Sequence, residues 1–93
     1  MEVVYKYPLE LVEKQELRLP DNHEILDIQL QNGVPCLWVL LNSDDMEPSA
    51  EHRFYITMVG TGHPFNSKQL SFIKTLQLSN QLVFHFFWNW TSI

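Results

Sequence analysis

Gln29-Leu30-Gln31-Asn32-Gly33-Val34-Pro35-Cys36-Leu37-Trp38 sets an Asn-Gly pair between two extended, apolar-rich runs. A tight type I′ turn needs positive φ at both central residues, and Asn followed by Gly tolerates this best. The stretch therefore predicts a β-hairpin over residues 24–42 and fixes its register. Pairing outward from the turn puts Leu26, Ile28 and Leu30 on one face with Leu37, Val39 and Leu41. The opposite face carries Asp27, Gln29 and Gln31 beside Cys36, Trp38 and Leu40. The first face is a core surface. The second is half apolar and points to interaction, either with a second sheet or with another copy.

The rest of the chain also reads as strands. Val3–Tyr7 is a short β-type run stopped by Pro8, and Gln15–Leu19 alternates polar with apolar up to Pro20. Asn42–Glu51 holds Asp44, Asp45, Glu47 and Pro48 and reads as a solvated loop. Arg53–Val59 is apolar on both faces, which predicts a central strand. Ser71–Leu78 and Leu82–Trp88 form a second hairpin turning at Ser79-Asn80-Gln81, with Leu82, Phe84, Phe86 and Trp88 sharing a face. The tail Asn89–Ile93 is expected to fray or to dock on another copy. A short helical turn over 8–14 lacks a good cap. Short strands punctuated by Pro and Gly imply an all-β domain, a small antiparallel sandwich or partly open barrel of six to seven strands.

At 93 residues the chain is expected to form one domain, 1–93. Its net charge is −5, and none of its 6 basic residues is adjacent to another. That balance argues against duplex nucleic-acid binding, which needs clustered Lys and Arg, while one or two of them suffice for a small anion. Cys36 is the single cysteine, so no intramolecular disulfide forms. The start Met-Glu-Val-Val-Tyr-Lys has no signal-peptide pattern, and no apolar run approaches a membrane span. The sequon Asn89-Trp90-Thr91 is read as chance. Three Trp, three Tyr and six Phe are many for so small a core, which predicts a homo-oligomer.

Gly60-Thr61-Gly62-His63-Pro64 is the strongest candidate site. Its glycines let backbone N–H groups approach an anion, and Thr61 and His63 add side-chain hydrogen bonds. The plainer reading is a strand-end turn. No helix follows and no Lys-Ser/Thr pair closes the segment, so it is not a nucleotide-binding glycine loop. Arg53 is expected to add charge, and Trp38 or Trp88 to stack on a base. For Trp38 the competing reading is a second core layer. Cys36 fits a small core residue better than a nucleophile, since no base is placed near it by any recognised pattern. His23, His52, His63 and His85 lack metal-ligand spacing, so neither metal nor cofactor is expected.

Lys6-Tyr7-Pro8-Leu9-Glu10, Gln31–Trp38, Gly60–Pro64 and Leu82-Val83-Phe84-His85-Phe86 together resemble a family of small bacteriophage and prophage proteins. The segment Gln31–Trp38 is the most specific, and the tail Trp88-Asn89-Trp90 looks extended relative to the family. The family carries no assigned activity. The resemblance implies a phage-encoded accessory protein in the host bacterial cytoplasm. With no nucleophile–base–orienter set apparent, the expected function is non-enzymatic: capture of a small nucleotide-type host immune signal by a homo-oligomer. The alternative is a protein–protein interaction module that docks on a host or phage partner. A small hydrolase ranks last.

Overall fold

The computed structural model describes residues 1–79 and 81–93. Seven strands run in the order β1 (Glu2–Pro8), β2 (Lys14–Leu17), β3 (His23–Gln31), β4 (Val34–Asn42), β5 (His52–Gly60), β6 (Ser71–Gln77) and β7 (Val83–Ser92). They form two antiparallel sheets, β1-β4-β3 and β2-β5-β7-β6. The architecture is the small all-β sandwich expected from the sequence, with neither sheet closed into a barrel. The segment 8–14 contains no helical turn, and among the described residues no helix is long and apolar enough to cross a membrane.

The Asn-Gly turn forms as read. Asn32 and Gly33 have φ of 53° and 80°, and Gln31 pairs with Val34 across them. The register holds out to Ile28↔Leu37 and Asp27↔Trp38 and then shifts, because Ile25 rather than Leu26 meets Val39. Leu26 is the extra residue of a β-bulge and is exposed. It therefore leaves the core face, and Ile25 replaces it. Leu30 too lies largely exposed at the hairpin tip, opposite Pro35.

The core lies between the sheets. Ile28, Leu37, Val39 and Leu41 from the first sheet meet Ile56, Leu76 and Phe86 from the second. Leu9, just beyond β1, closes one side of this cluster, its N–H donating to the Pro35 carbonyl at 2.9 Å. β5 and β7 are the interior strands of the larger sheet, in keeping with their two-sided apolar pattern. The tail does not fray: β7 runs on to Ser92, with Trp90 opposite Phe54 and Ser92 opposite His52. The turn expected at Ser79-Asn80-Gln81 includes Asn80, which lies outside the described residues. Around it, Leu78 and Leu82 close the hairpin through Leu78 N–H to Leu82 C=O at 2.8 Å.

Cys36 is buried on the outer side of β4, where Pro8 and Gln29 flank it from the two neighbouring strands. The Lys6 amine donates to the Gln31 side chain, joining β1 to β3 across β4. Trp38 and Leu40 continue that side and are half-buried.

Candidate functional site

Alternation along two adjacent strands builds the site. His52, Phe54 and Ile56 fall on one face of β5, and Ser92, Trp90 and Trp88 fall opposite them on β7. That face looks toward the first sheet. The bulge at Leu26 brings His23, the first residue of β3, to the same place: its ring lies 4.6 Å edge-on from Phe54 and 6.1 Å from Trp88. The His52 ring stands 4.9 Å edge-on from Trp90. Together with Asp21 and Glu51 these rings line a cavity of about 490 Å³. Trp90 remains 53% exposed, an indole available to a ligand.

Hydrogen bonds orient both imidazoles. Nδ1 of His23 donates to the Pro20 carbonyl at 2.7 Å, and Nδ1 of His52 donates to Oδ1 of Asp21 at 2.7 Å. Since carbonyl and carboxylate oxygens only accept, Nδ1 carries the proton in each ring. Nε2 is then the acceptor of the neutral form. The Ser49 hydroxyl donates to the same Asp21 oxygen at 2.6 Å and accepts the His52 backbone N–H at 2.9 Å. These bonds to the ionised carboxylate, Ser49 first and His52 second, hold Asp21 below its ordinary pKa of 3.8. Ser49, Asp21 and His52 are not wired for nucleophilic attack. The carboxylate sits between hydroxyl and imidazole, so His52 has no contact with the Ser49 proton.

A second cavity, of about 370 Å³, shares His52 with the first. Arg18 and Arg53 line it, with Ser49, Glu16 and Pro48. Neither guanidinium is in an ion pair among the described residues. The two cavities share His52, while Arg53 alternates on β5 to the face opposite His52 and Phe54.

Arg53 and Trp88, named from the sequence, line these adjoining cavities, whereas Gly60, Thr61, Gly62 and His63 lie at the far end of β5. The rise of a strand separates Arg53 from Gly60 by about 23 Å. Trp38 belongs to the other sheet, on its outer side. The glycine turn is internally bonded: the His63 N–H donates to the Gly60 carbonyl at 3.2 Å, and Gly62 takes φ 86°. A Cβ on Gly60 would sit 2.9 Å from Cδ2 of the exposed His63, so a side chain there displaces that ring from the strand end. The Thr61 hydroxyl bonds Nε2 of His85 at 2.7 Å, and Thr75 bonds Nδ1 at 2.8 Å. Two further cavities, of about 320 and 370 Å³ and more enclosed than the aromatic one, are lined by His63.

Sequence reasoning did not single out Asp21, His23, Ser49, His52, Phe54, Trp90 or Arg18 as ligand-binding residues. The available signal was the shared parity of His52 and Phe54 with Trp88 and Trp90, visible once the two strands are paired.

Residues 1–92 match the family model described as Domain of unknown function (DUF7352). The chain belongs to this family. No curated protein and no solved structure shows a significant match to it.

Proposed function

We propose that this DUF7352 domain is a non-catalytic receptor for a small nucleotide-type ligand. One observation carries the reading: the aromatic cavity of His23, Phe54, Trp88 and Trp90 abuts the cavity of Arg18 and Arg53 through His52. A nucleobase offers a flat π-face to indole and imidazole rings, and a phosphate offers paired acceptors to guanidinium groups. Asp21 and Glu51, on the aromatic side, suit the hydroxyl and amino donors of such a ligand. The chain as a whole is acidic and Glu16 lines the same cavity, so attraction for a phosphate has to be local and rests on Arg18 and Arg53, neither in an ion pair among the described residues. The motifs shared with small phage and prophage proteins support a setting for this receptor. It is phage-encoded, acts as a homo-oligomer in the host bacterial cytoplasm, and counters defence by sequestering a nucleotide immune signal.

Titration calorimetry against cyclic nucleotides and ADP-ribose derivatives tests the reading. The expected result is saturable heat with at least one of them, without turnover of the ligand. Absence of heat from the whole panel, at protein concentrations far above micromolar, overturns it.

A second reading, docking on a host or phage protein, draws support from a different place. Phe65 and Phe72 meet Phe87, tilted and edge-on, on the outer side of the larger sheet at centroid distances of 5.2 and 5.6 Å, and Phe65 and Phe72 are exposed. An aromatic cluster of this kind fits the buried centre of a protein interface. A stoichiometric protein retained from infected-cell lysate, and released by Phe72→Ala, favours it over the first.

A further inference from the structure

The edge of β1 carries a pattern that fits a second copy of itself. β1 is the outer strand of its sheet, and no strand pairs with its other side among the described residues. Elsewhere the open edges are short or covered. β2 has four residues, and β3 lies against β6, where Lys74 approaches Asp27 at 3.4 Å. β1 runs for seven residues, with Val4 50% and Tyr5 47% exposed. A long unpaired strand of this composition is a template for strand addition.

Two hydrogen bonds at its ends set the phase. The Met1 carbonyl accepts the Ser43 N–H at 2.7 Å, and the Leu9 N–H donates to the Pro35 carbonyl at 2.9 Å. In an antiparallel ladder, backbone groups alternate in direction from one residue to the next. Odd-numbered residues of β1 therefore turn theirs toward β4. Glu2, Val4 and Lys6 turn both N–H and C=O to the open edge, and Pro8 turns a carbonyl with no donor.

We propose that two copies of this chain join antiparallel through β1, about a two-fold axis at Val4. In this register Val4 meets Val4 of the partner copy, and Glu2 meets Lys6 at both ends. All three positions present outward-facing donors and acceptors, so every opposed pair exchanges two backbone hydrogen bonds. Opposite charges stand directly across from each other twice: Glu2 is in no ion pair among the described residues, and the exposed Lys6 amine exchanges its bond to Gln31 for Glu2 of the partner copy. Neighbouring registers fail on the same criteria. Sliding by two residues one way opposes Glu2 to Pro8, which lacks an N–H; sliding the other way opposes Glu2 to Val4 and leaves Lys6 beyond the overlap. The two three-stranded sheets become one continuous six-stranded sheet, and an isologous contact of this kind closes at two copies.

This inference rests on the homo-oligomeric part of the reading above and not on its ligand. Sedimentation of the whole chain from micromolar to submillimolar concentration tests it. Wild type is expected at twice the 11.0 kDa chain mass. Lys6→Glu and Glu2→Lys each place like charges across both ends, and each is expected to weaken the dimer by about tenfold. The double variant, with both charges exchanged, restores it to within about threefold of wild type. Rescue of this kind does not follow from a folding defect. Monomeric wild type, a dimer indifferent to both single reversals, or a double variant that stays monomeric each overturns the proposal. A monomer that still binds nucleotide in the calorimeter separates failure of the dimer from failure of the ligand reading.

Discussion

Asp21 and His52 lie 31 residues apart in the chain and meet at 2.7 Å, Oδ1 to Nδ1. This contact ties the turn before β3 to the start of β5. The Ser49 hydroxyl on the same oxygen brings in the intervening loop. The latch fixes the wall shared by the two cavities, so its chemistry governs the local stability of that wall.

Acid is expected to open it. Asp21 is held below its ordinary 3.8 by hydrogen bonds from Ser49 and His52, so its ionised form is favoured in the folded chain. A depressed carboxyl pKa gives stability that is fully present above the unfolded value and lost as pH falls through the folded one. Asp27, lowered chiefly by the Gln29 side chain, behaves in the same way. Melting temperature is therefore expected to be flat down to about pH 4 and to fall below it. Asp21→Asn should show a shallower fall than wild type. An identical acid limb in both proteins would remove Asp21 from the account.

The indole at position 90 and the guanidinium at 53 are expected to divide ligand affinity between them. Trp90→Ala removes a stacking surface, with a loss of roughly tenfold or more for any nucleobase-bearing ligand. Arg53→Ala removes a charge-assisted contact to phosphate and should cost about tenfold for the phosphorylated ligand alone. A nucleoside without phosphate should therefore feel the first substitution and ignore the second. Trp38→Ala, on the other sheet, should leave calorimetric affinity within about twofold of wild type.

Gly60 and His63 make a paired test. Adding one methyl in Gly60→Ala forces the His63 ring to move, because Cδ2 lies 2.9 Å from the new carbon. A destabilisation of about 1–2 kcal/mol is expected in urea unfolding. In a His63→Ala background the same methyl should cost under about 0.5 kcal/mol, since its obstacle is gone. Equal costs in the two backgrounds would place the strain in the backbone.

At the hairpin tip, Gly33→Ala should destabilise by about 1 kcal/mol or more, because φ is 80° there and no neighbouring atom compensates. Phe86→Ala, at the fully buried centre of the core, should cost about 3–5 kcal/mol, enough to unfold a large share of a domain this small. Circular dichroism on heating distinguishes the two.

Much of this architecture was legible in the sequence. Alternation and turn chemistry specify the strands, and Asn32-Gly33 specifies the hairpin. The shift within Ile25-Leu26-Asp27-Ile28 was hidden, because adjacent apolar residues satisfy either frame and only the opposing sheet chooses between them. The pairing of the tail with β5, against the expectation of fraying, was hidden for a related reason. The tail's Asn89 and Ser92 carry no strand signal of their own, and β5 pairs them by its length. The site was less legible. Arg53 and Trp88 stand out by residue type, but within one chain Arg53 lies seven residues along β5 from Gly60, at the other end of the strand, and Trp88 lies opposite Ile56 between them. The Asp21–His52 contact has no periodic signature, since closure of the whole sandwich creates it.

The single additional residue in β3 has a further effect. Because side chains alternate strictly beyond it, the bulge at Leu26 acts as a phase corrector, keeping both Ile25 and His23 inward while the hairpin holds its own frame. Excising Leu26 would leave the composition almost unchanged and the Asn-Gly turn intact. It would also leave Ile25 opposite Val39 and His23 opposite Leu41, because the two strands would then pair without an extra residue, and His23 would keep its place beside Phe54. The direction of the imidazole is thus set by the pairing of Ile25 with Val39, and Leu26 is the slack that the ladder takes up.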